Sequence, residues 1–158
     1  MFIEAAVGDA YGAGFEFTNT PEVQNDLSKY GRHQKGGLKA GQYTDDTMRA
    51  IANARVLLGS EEDRFRPEAY IHQYKAIRRE DRRPGWSSRF EAFLDESEHS
   101  SAYEMMRNMR RRATNGAIMG IAPLGYLEDP RDVLFASLAQ TVSTHSAAAV
   151  PYAQAIAL

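Results

Sequence analysis

The stretch GQYTDDTMRAIANARVLLG, residues 41–59, decides how the rest of the chain is read. Met48, Ile51, Ala52, Val56 and Leu58 recur at roughly helical spacing, and Gly59 supplies a stop. Ahead of that apolar stripe stand Thr44, Asp45, Asp46 and Thr47. Two readings fit them. Thr44 can cap the helix while the aspartates favour its positive end. Alternatively, four oxygen-bearing side chains in a row form part of a site for a hard cation. Either way the segment is a helix with an acidic start.

The same periodicity governs most of the remaining chain. Pro67 opens PEAYIHQYKAIRRE at a position that suits a first helical turn, with Ala69, Ile71, Tyr74 and Ile77 close to one face. SSRFEAFLDE and SAYEMMRNMRRR read as two further helices. EDPRDVLFASLAQTV is the clearest, with Asp129 as N-cap, Pro130 at the first helical position and Asp132 two residues on. THSAAAVPYAQAIAL is Ala-rich and helical in pattern, Pro151 marking a kink or a restart. No segment alternates apolar and polar residues with β-branched enrichment, so the fold class is all-α. Residues 18–43 form a long connection rich in glycine, the kind of loop that is usually functional or disordered.

Composition narrows the function classes. A chain of 158 residues suits one domain, spanning 1–158, with a real hydrophobic core. The formal net charge of −2 demands neither nucleic acid nor an anionic membrane as partner. The arginines at 78, 79, 82 and 83 alternate with acids, and the later group from Arg107 to Arg112 lacks the aromatic interleaving of a single-strand binder. No apolar run is long enough to span a bilayer, and the start MFIEAAVGDAYG lacks a secretory leader, which makes the cytoplasm the default location. Without cysteine there is neither a disulfide framework nor a thiolate metal site, so any metal would be held by oxygen or histidine.

Three further segments carry candidate chemistry. In GDAYGAGFEF, residues 8–17, Asp9 and Glu16 lie seven positions apart and would face the same way on a continuous helix. That segment reads equally well as a Gly-rich helix contact with two solvated acids. NGAIMGIAPLGYL, residues 115–127, could present backbone N–H groups at a helix start to an anionic oxygen, or be a turn feeding a core helix. STHSAAA places His145 among hydroxyl residues near a helix start, where capping is the commoner role.

Taken in order, these segments resemble the ADP-ribosylglycohydrolase family. GDAYGAGFEF is similar to its opening Gly-Asp-Ala-x-Gly…Glu motif, and YTDDTM to its Thr-Asp-Asp-Thr metal motif. NGAIMGIAPLGYL resembles its Asn-Gly-x-x-Met-x-x-Ala-Pro segment, Thr144-His145 its later Thr-His pair, and RRPGWSSRFEAFL the Gly-aromatic segment of some bacterial members. The resemblance runs from about residue 3 to the end. It implies an all-α domain with two Mg²⁺ ions at the base of a cleft for ADP-ribose. Thr44, Asp45 and Asp46 match the motif that supplies metal ligands. Glu16 matches the acid that activates water or positions substrate, with Asp46 also counted among the catalytic groups. Asn115, Gly116 and His145 fall where the family contacts ADP-ribose. The implied partner is an ADP-ribosylated protein or small molecule.

One feature departs from the family pattern. The family's second metal motif, Asp-x-Asp-Thr or a close variant, has no counterpart, since after Asp81 the only aspartates are Asp95, Asp129 and Asp132. The family domain is also longer, and AAAVPYAQAIAL ends within an apolar helical pattern. The expectation is therefore the N-terminal portion of the fold. Such a chain would be inactive alone and prone to self-association or to pairing with a complementary C-terminal segment. If it were instead active alone, other acids, Asp9 or Asp132 among the candidates, would complete the site. An inactive ADP-ribose-binding or structural relative is the alternative.

Overall fold

The computed structural model of the protein describes residues 2–17, 27–33, 37–96 and 113–158, and these contain helices and turns without a β-strand. Among the described residues six α-helices follow in chain order: α1 Phe2–Gly12, α2 Asp45–Leu57, α3 Pro67–Glu80, α4 Ser88–Glu96, α5 Pro130–Thr144 and α6 Val150–Ala157. The expected all-α class is the observed one. The helix expected over SAYEMMRNMRRR lies outside the described residues, as do the later arginine group and residues 18–26 and 34–36 of the 18–43 connection.

Local chemistry sets the starts of the main helices. Thr44 caps α2 with its side chain accepting from the Asp46 N–H, and Asp129 caps α5 by accepting from the Arg131 N–H. Pro67, Pro130 and Pro151 each sit in a first turn, where the missing N–H costs nothing. Pro151 thus marks a restart. α5 closes at His145, a short 3₁₀ turn spans Ala147–Ala149, and α6 follows.

The buried stripe of α2 (Met48, Ala52, Val56) packs mainly on α3, whose Tyr70, Ile71, Tyr74 and Ile77 form the centre of the core. Behind α3 lies α5, which in turn carries α6. Each of these large side chains, fully withdrawn from water, contributes about 1.5–3 kcal/mol. Trp86, Phe90 and Phe93 close the core at one end. Leu58, expected to join the apolar stripe, instead lies exposed past the end of α2.

Residues 115–126 differ from the helix expected there. They form two 3₁₀ turns, Asn115–Ala117 and Ala122–Tyr126, because Gly116, Gly120, Pro123 and Gly125 interrupt any longer helix. Gly120 has φ +68, and a Cβ on it would lie 2.5 Å from the Ala50 nitrogen, so the segment lies directly on the α2 backbone. A buried polar chain anchors it. Asn53 donates to the Gly120 carbonyl at 2.9 Å, Tyr74 donates to Asn53 at 2.9 Å, and Gln140 donates to Tyr74 at 3.0 Å. The chain links α2, α3 and α5 with its polar atoms paired, which fixes a unique packing. No helix among the described residues is long and apolar enough to cross a membrane.

Candidate functional site

The site forms where α1, the start of α2, the 115–117 turn and the end of α5 meet. α1 does not continue to Glu16. It ends at Gly12 and the chain turns through Gly14, whose Cβ position is taken by the Gly31 backbone at 2.7 Å. Phe17 follows with φ 60, a strained conformation for an aromatic residue. The two-turn spacing of Asp9 and Glu16 therefore does not set their relation; the turn does.

Asp9 acts as a cap supplied from another helix. Its carboxylate accepts from the Thr44 N–H (2.9 Å) and hydroxyl (2.7 Å). It also accepts from the Thr47 N–H (3.1 Å) and hydroxyl (2.6 Å). Four hydrogen bonds to one carboxylate satisfy the exposed N–H groups at the start of α2 and lock α1 to it. Asp9 is thereby committed to structure. Asp132 lies elsewhere, in an apolar groove with Phe65, Phe135 and Leu138, and takes no part in the site.

Asp45 and Asp46 are driven into an unusual state by this arrangement. Burial first, then the charges of Glu16 and Asp9, push the Asp45 carboxyl up to about 6, against the opposing pull of Arg49. Burial, then Asp45, Asp9 and Glu16, push Asp46 up to about 7. Asp46 Oδ1 is buried and lacks a hydrogen-bond partner. Glu16 is half exposed, with Oε2 3.2 Å from Nε2 of the buried His33. Unpaired carboxylate oxygen near other acids is costly, and either a proton or a divalent cation would relieve it. Carboxylate and hydroxyl oxygens are the donors that Mg²⁺ prefers. Among the described residues, however, no three His, Cys, Asp or Glu side chains converge on one ion position.

The second wall of the site is the 115–117 turn with His145. Asn115 is exposed, and Gly116 faces the imidazole so closely that a Cβ would lie 3.1 Å from Nε2. His145 follows α5, bonds Thr144 Oγ1 through Nδ1 at 2.9 Å, and is lowered to about 4 by burial and by Arg49, so it is neutral near pH 7. The turn is too short to act as the helix N-terminus anticipated for an anion.

Arg49 joins the two walls, and sequence reasoning missed it. Its side chain is 5% exposed, its Nη1 donates to the Gly116 carbonyl at 2.9 Å, and its Nε lies 3.8 Å from Asp45. The one available signal was a basic residue four positions after Asp45 on a helix. Gly85, with φ +143, backs the Asp45 nitrogen, and the Trp86 and Phe90 that follow form the aromatic bed under the guanidinium.

An all-helical domain whose acid-rich helix start faces a glycine–histidine turn is the class that fold and site define. The ADP-ribosylglycohydrolase family profile matches residues 3–158, and the chain belongs to that family. It is similar to a protein of Acanthamoeba polyphaga mimivirus assigned as an ADP-ribosyl glycohydrolase. The two are 42% identical over 60 residues, a stretch covering 34% of this chain and 18% of the viral protein. No solved structure matches.

Proposed function

We propose that the protein acts as a Mg²⁺-dependent ADP-ribosylglycohydrolase, cleaving the glycosidic bond between ADP-ribose and a protein side chain or small acceptor. One observation supports this above the others: in a chain of this family, Asp46 Oδ1 is buried and unpartnered on a carboxyl raised by burial and by Asp45, Asp9 and Glu16. Thr44, Asp45 and Asp46 would hold the metal, as part of a site for two ions with water filling the remaining positions. Bound Mg²⁺ supplies orientation of the ribose hydroxyls and a lowered pKa for coordinated water.

The chain's own residues do the rest. Glu16, half exposed and steadied by His33, accepts the proton of the attacking water as its oxygen bonds to the anomeric carbon. The bond to the acceptor breaks with the electron pair leaving on the acceptor's nitrogen or oxygen, through an oxocarbenium-like state. Asn115, Gly116 and His145 contact ADP-ribose from the opposite wall. A neutral His145 can accept or donate a hydrogen bond there without competing for the cation.

A second reading, an ADP-ribose-binding relative without turnover, is favoured by the failure of three acidic or imidazole side chains to converge among the described residues. Calorimetry of free ADP-ribose with Mg²⁺ and with a chelator tests both. Binding that requires Mg²⁺, with release of ADP-ribose from an ADP-ribosylated peptide, is the expected result. Binding without release favours the second reading, and absence of binding overturns both.

A further inference from the structure

A buried guanidinium is expensive unless its charge and its donors are used. Arg49 is 4% exposed, and its guanidinium carbon lies 4.2 Å from the Phe90 ring centroid, 5.6 Å from that of Tyr74 and 5.7 Å from that of Trp86. These faces hold the cation but offer no hydrogen-bond acceptor. The Gly116 carbonyl takes Nη1, whereas Nε, buried with no hydrogen-bond partner, points its charge at Asp45 from 3.8 Å. A separate anchor, Asn53 to the Gly120 carbonyl, already holds the far end of the same segment on α2. Arg49 thus fixes the near end, the end carrying Asn115 and Gly116.

We propose that Arg49 is a positioning residue: it sets the Asn115–Ala117 turn at a fixed distance from the α2 carboxylates, so that the two walls bind one ligand together. The ligand being ADP-ribose rests on the functional reading above; the clamp itself does not. Lysine cannot replace it, because a single ammonium lacks the planar fork that reaches one wall while facing the other. The guanidinium also opposes any cation held by Asp45. Its loss should therefore weaken ADP-ribose binding without weakening Mg²⁺ binding, a split that a purely structural role would not give.

The test compares wild type with Arg49→Met, which keeps an apolar stem over the aromatic rings, and with Arg49→Lys. Calorimetry with Mg²⁺ and with free ADP-ribose is combined with ¹⁵N relaxation of the Gly116 and Ala117 amides. In Arg49→Met, ADP-ribose affinity should fall roughly tenfold or more while Mg²⁺ affinity is unchanged or higher, and the turn amides should become mobile. Arg49→Lys should hold Mg²⁺ affinity near wild type without restoring ADP-ribose affinity. Wild-type ADP-ribose binding in Arg49→Met, or parallel loss of both affinities, overturns the proposal. If wild type binds no ADP-ribose, the functional reading falls, and the order of the turn amides alone decides the role of Arg49. Should both variants fail to fold, Asp45→Asn decides. Acting through Arg49, it should shift the Gly116 and Ala117 amide resonances, and unchanged resonances overturn the proposal.

Discussion

Thr44-Asp45-Asp46 at the start of α2 and Asp129-Pro130-Arg131-Asp132 at the start of α5 each put a capping oxygen and an acid ahead of a helix. Around α5 the acid is spent locally. Asp129 accepts from the Arg131 N–H at 2.8 Å and pairs with the Arg131 guanidinium at 2.8 Å, and those bonds hold its carboxyl below the usual range. Around α2 the acids are held back from such pairing. Asp9 of α1 adds capping bonds from another helix, burial withdraws water from Asp45 and Asp46, and Arg49 opposes the rise of both carboxyls only in part. An acidic first turn therefore pairs its carboxylates locally or keeps them buried with raised pKa values according to what packs over it.

The largest expected difference between the two starts is in activity. Asp46→Ala should lower Mg²⁺-dependent release of ADP-ribose by roughly a hundredfold or more, because it removes the buried, unpartnered oxygen proposed to hold the metal. Asp129→Ala should leave that rate unchanged. Normal turnover in both Asp45→Ala and Asp46→Ala, measured by product release, would refute the metal reading and erase the distinction.

Glu16→Gln should come next, lowering kcat by about a hundredfold with much less effect on ADP-ribose affinity, since the amide keeps the shape but cannot take a proton. A parallel loss of kcat and affinity would instead assign Glu16 to folding or to ligand contact.

How far the site could be read from sequence follows the same division. The starts of α2, α3 and α5 were legible because Thr44, Pro67, Asp129 and Pro130 act on their own first turns. The placing of Asp45 and Asp46 in the acidic first turn of α2 was legible in the same way. Asp9 as the cap of a different helix was not, and neither was Arg49 reaching Gly116 across 67 positions, because both depend on which backbone arrives from elsewhere. The end of α1 at Gly12 and the collapse of 115–126 into 3₁₀ turns were hidden for a related reason. Gly14 and Gly120 are placed by the chains they touch, Gly31 and the α2 backbone, rather than by any local period.

The pH dependence of stability should separate the two starts by sign. Asp45 and Asp46 titrate near 6 and 7 in the folded protein against an ordinary value of 3.8, so the folded state binds more protons than the unfolded one across that window. Their contribution to stability therefore falls as pH rises from about 4 to about 7. The groups facing them are Asp9 and Glu16, which strengthen the effect, and Arg49, which opposes it. Added Mg²⁺ should raise the melting temperature most at neutral pH and least in acid, where the carboxyls are protonated. A Mg²⁺ effect independent of pH would place the ion elsewhere.

The smallest effect belongs to Asp129, and it should run the other way. Its carboxyl is lowered, first by the Arg131 side-chain bond and then by the Arg131 backbone N–H, so ionised Asp129 is favoured by folding. That contribution is present above the unfolded carboxyl value and is lost as pH falls through the folded one. Asp129→Ala should accordingly lower the melting temperature slightly at neutral pH, and the difference from wild type should vanish in acid. Arg131 is 82% exposed, so added salt should shrink the ion-pair part of the loss while leaving the cap to the Arg131 N–H. Melting curves at neutral and acid pH, each with and without salt, measure both parts. If Asp129→Ala instead destabilises most in acid, the carboxyl is not ionised in the cap, and the two helix starts are more alike than their surroundings imply.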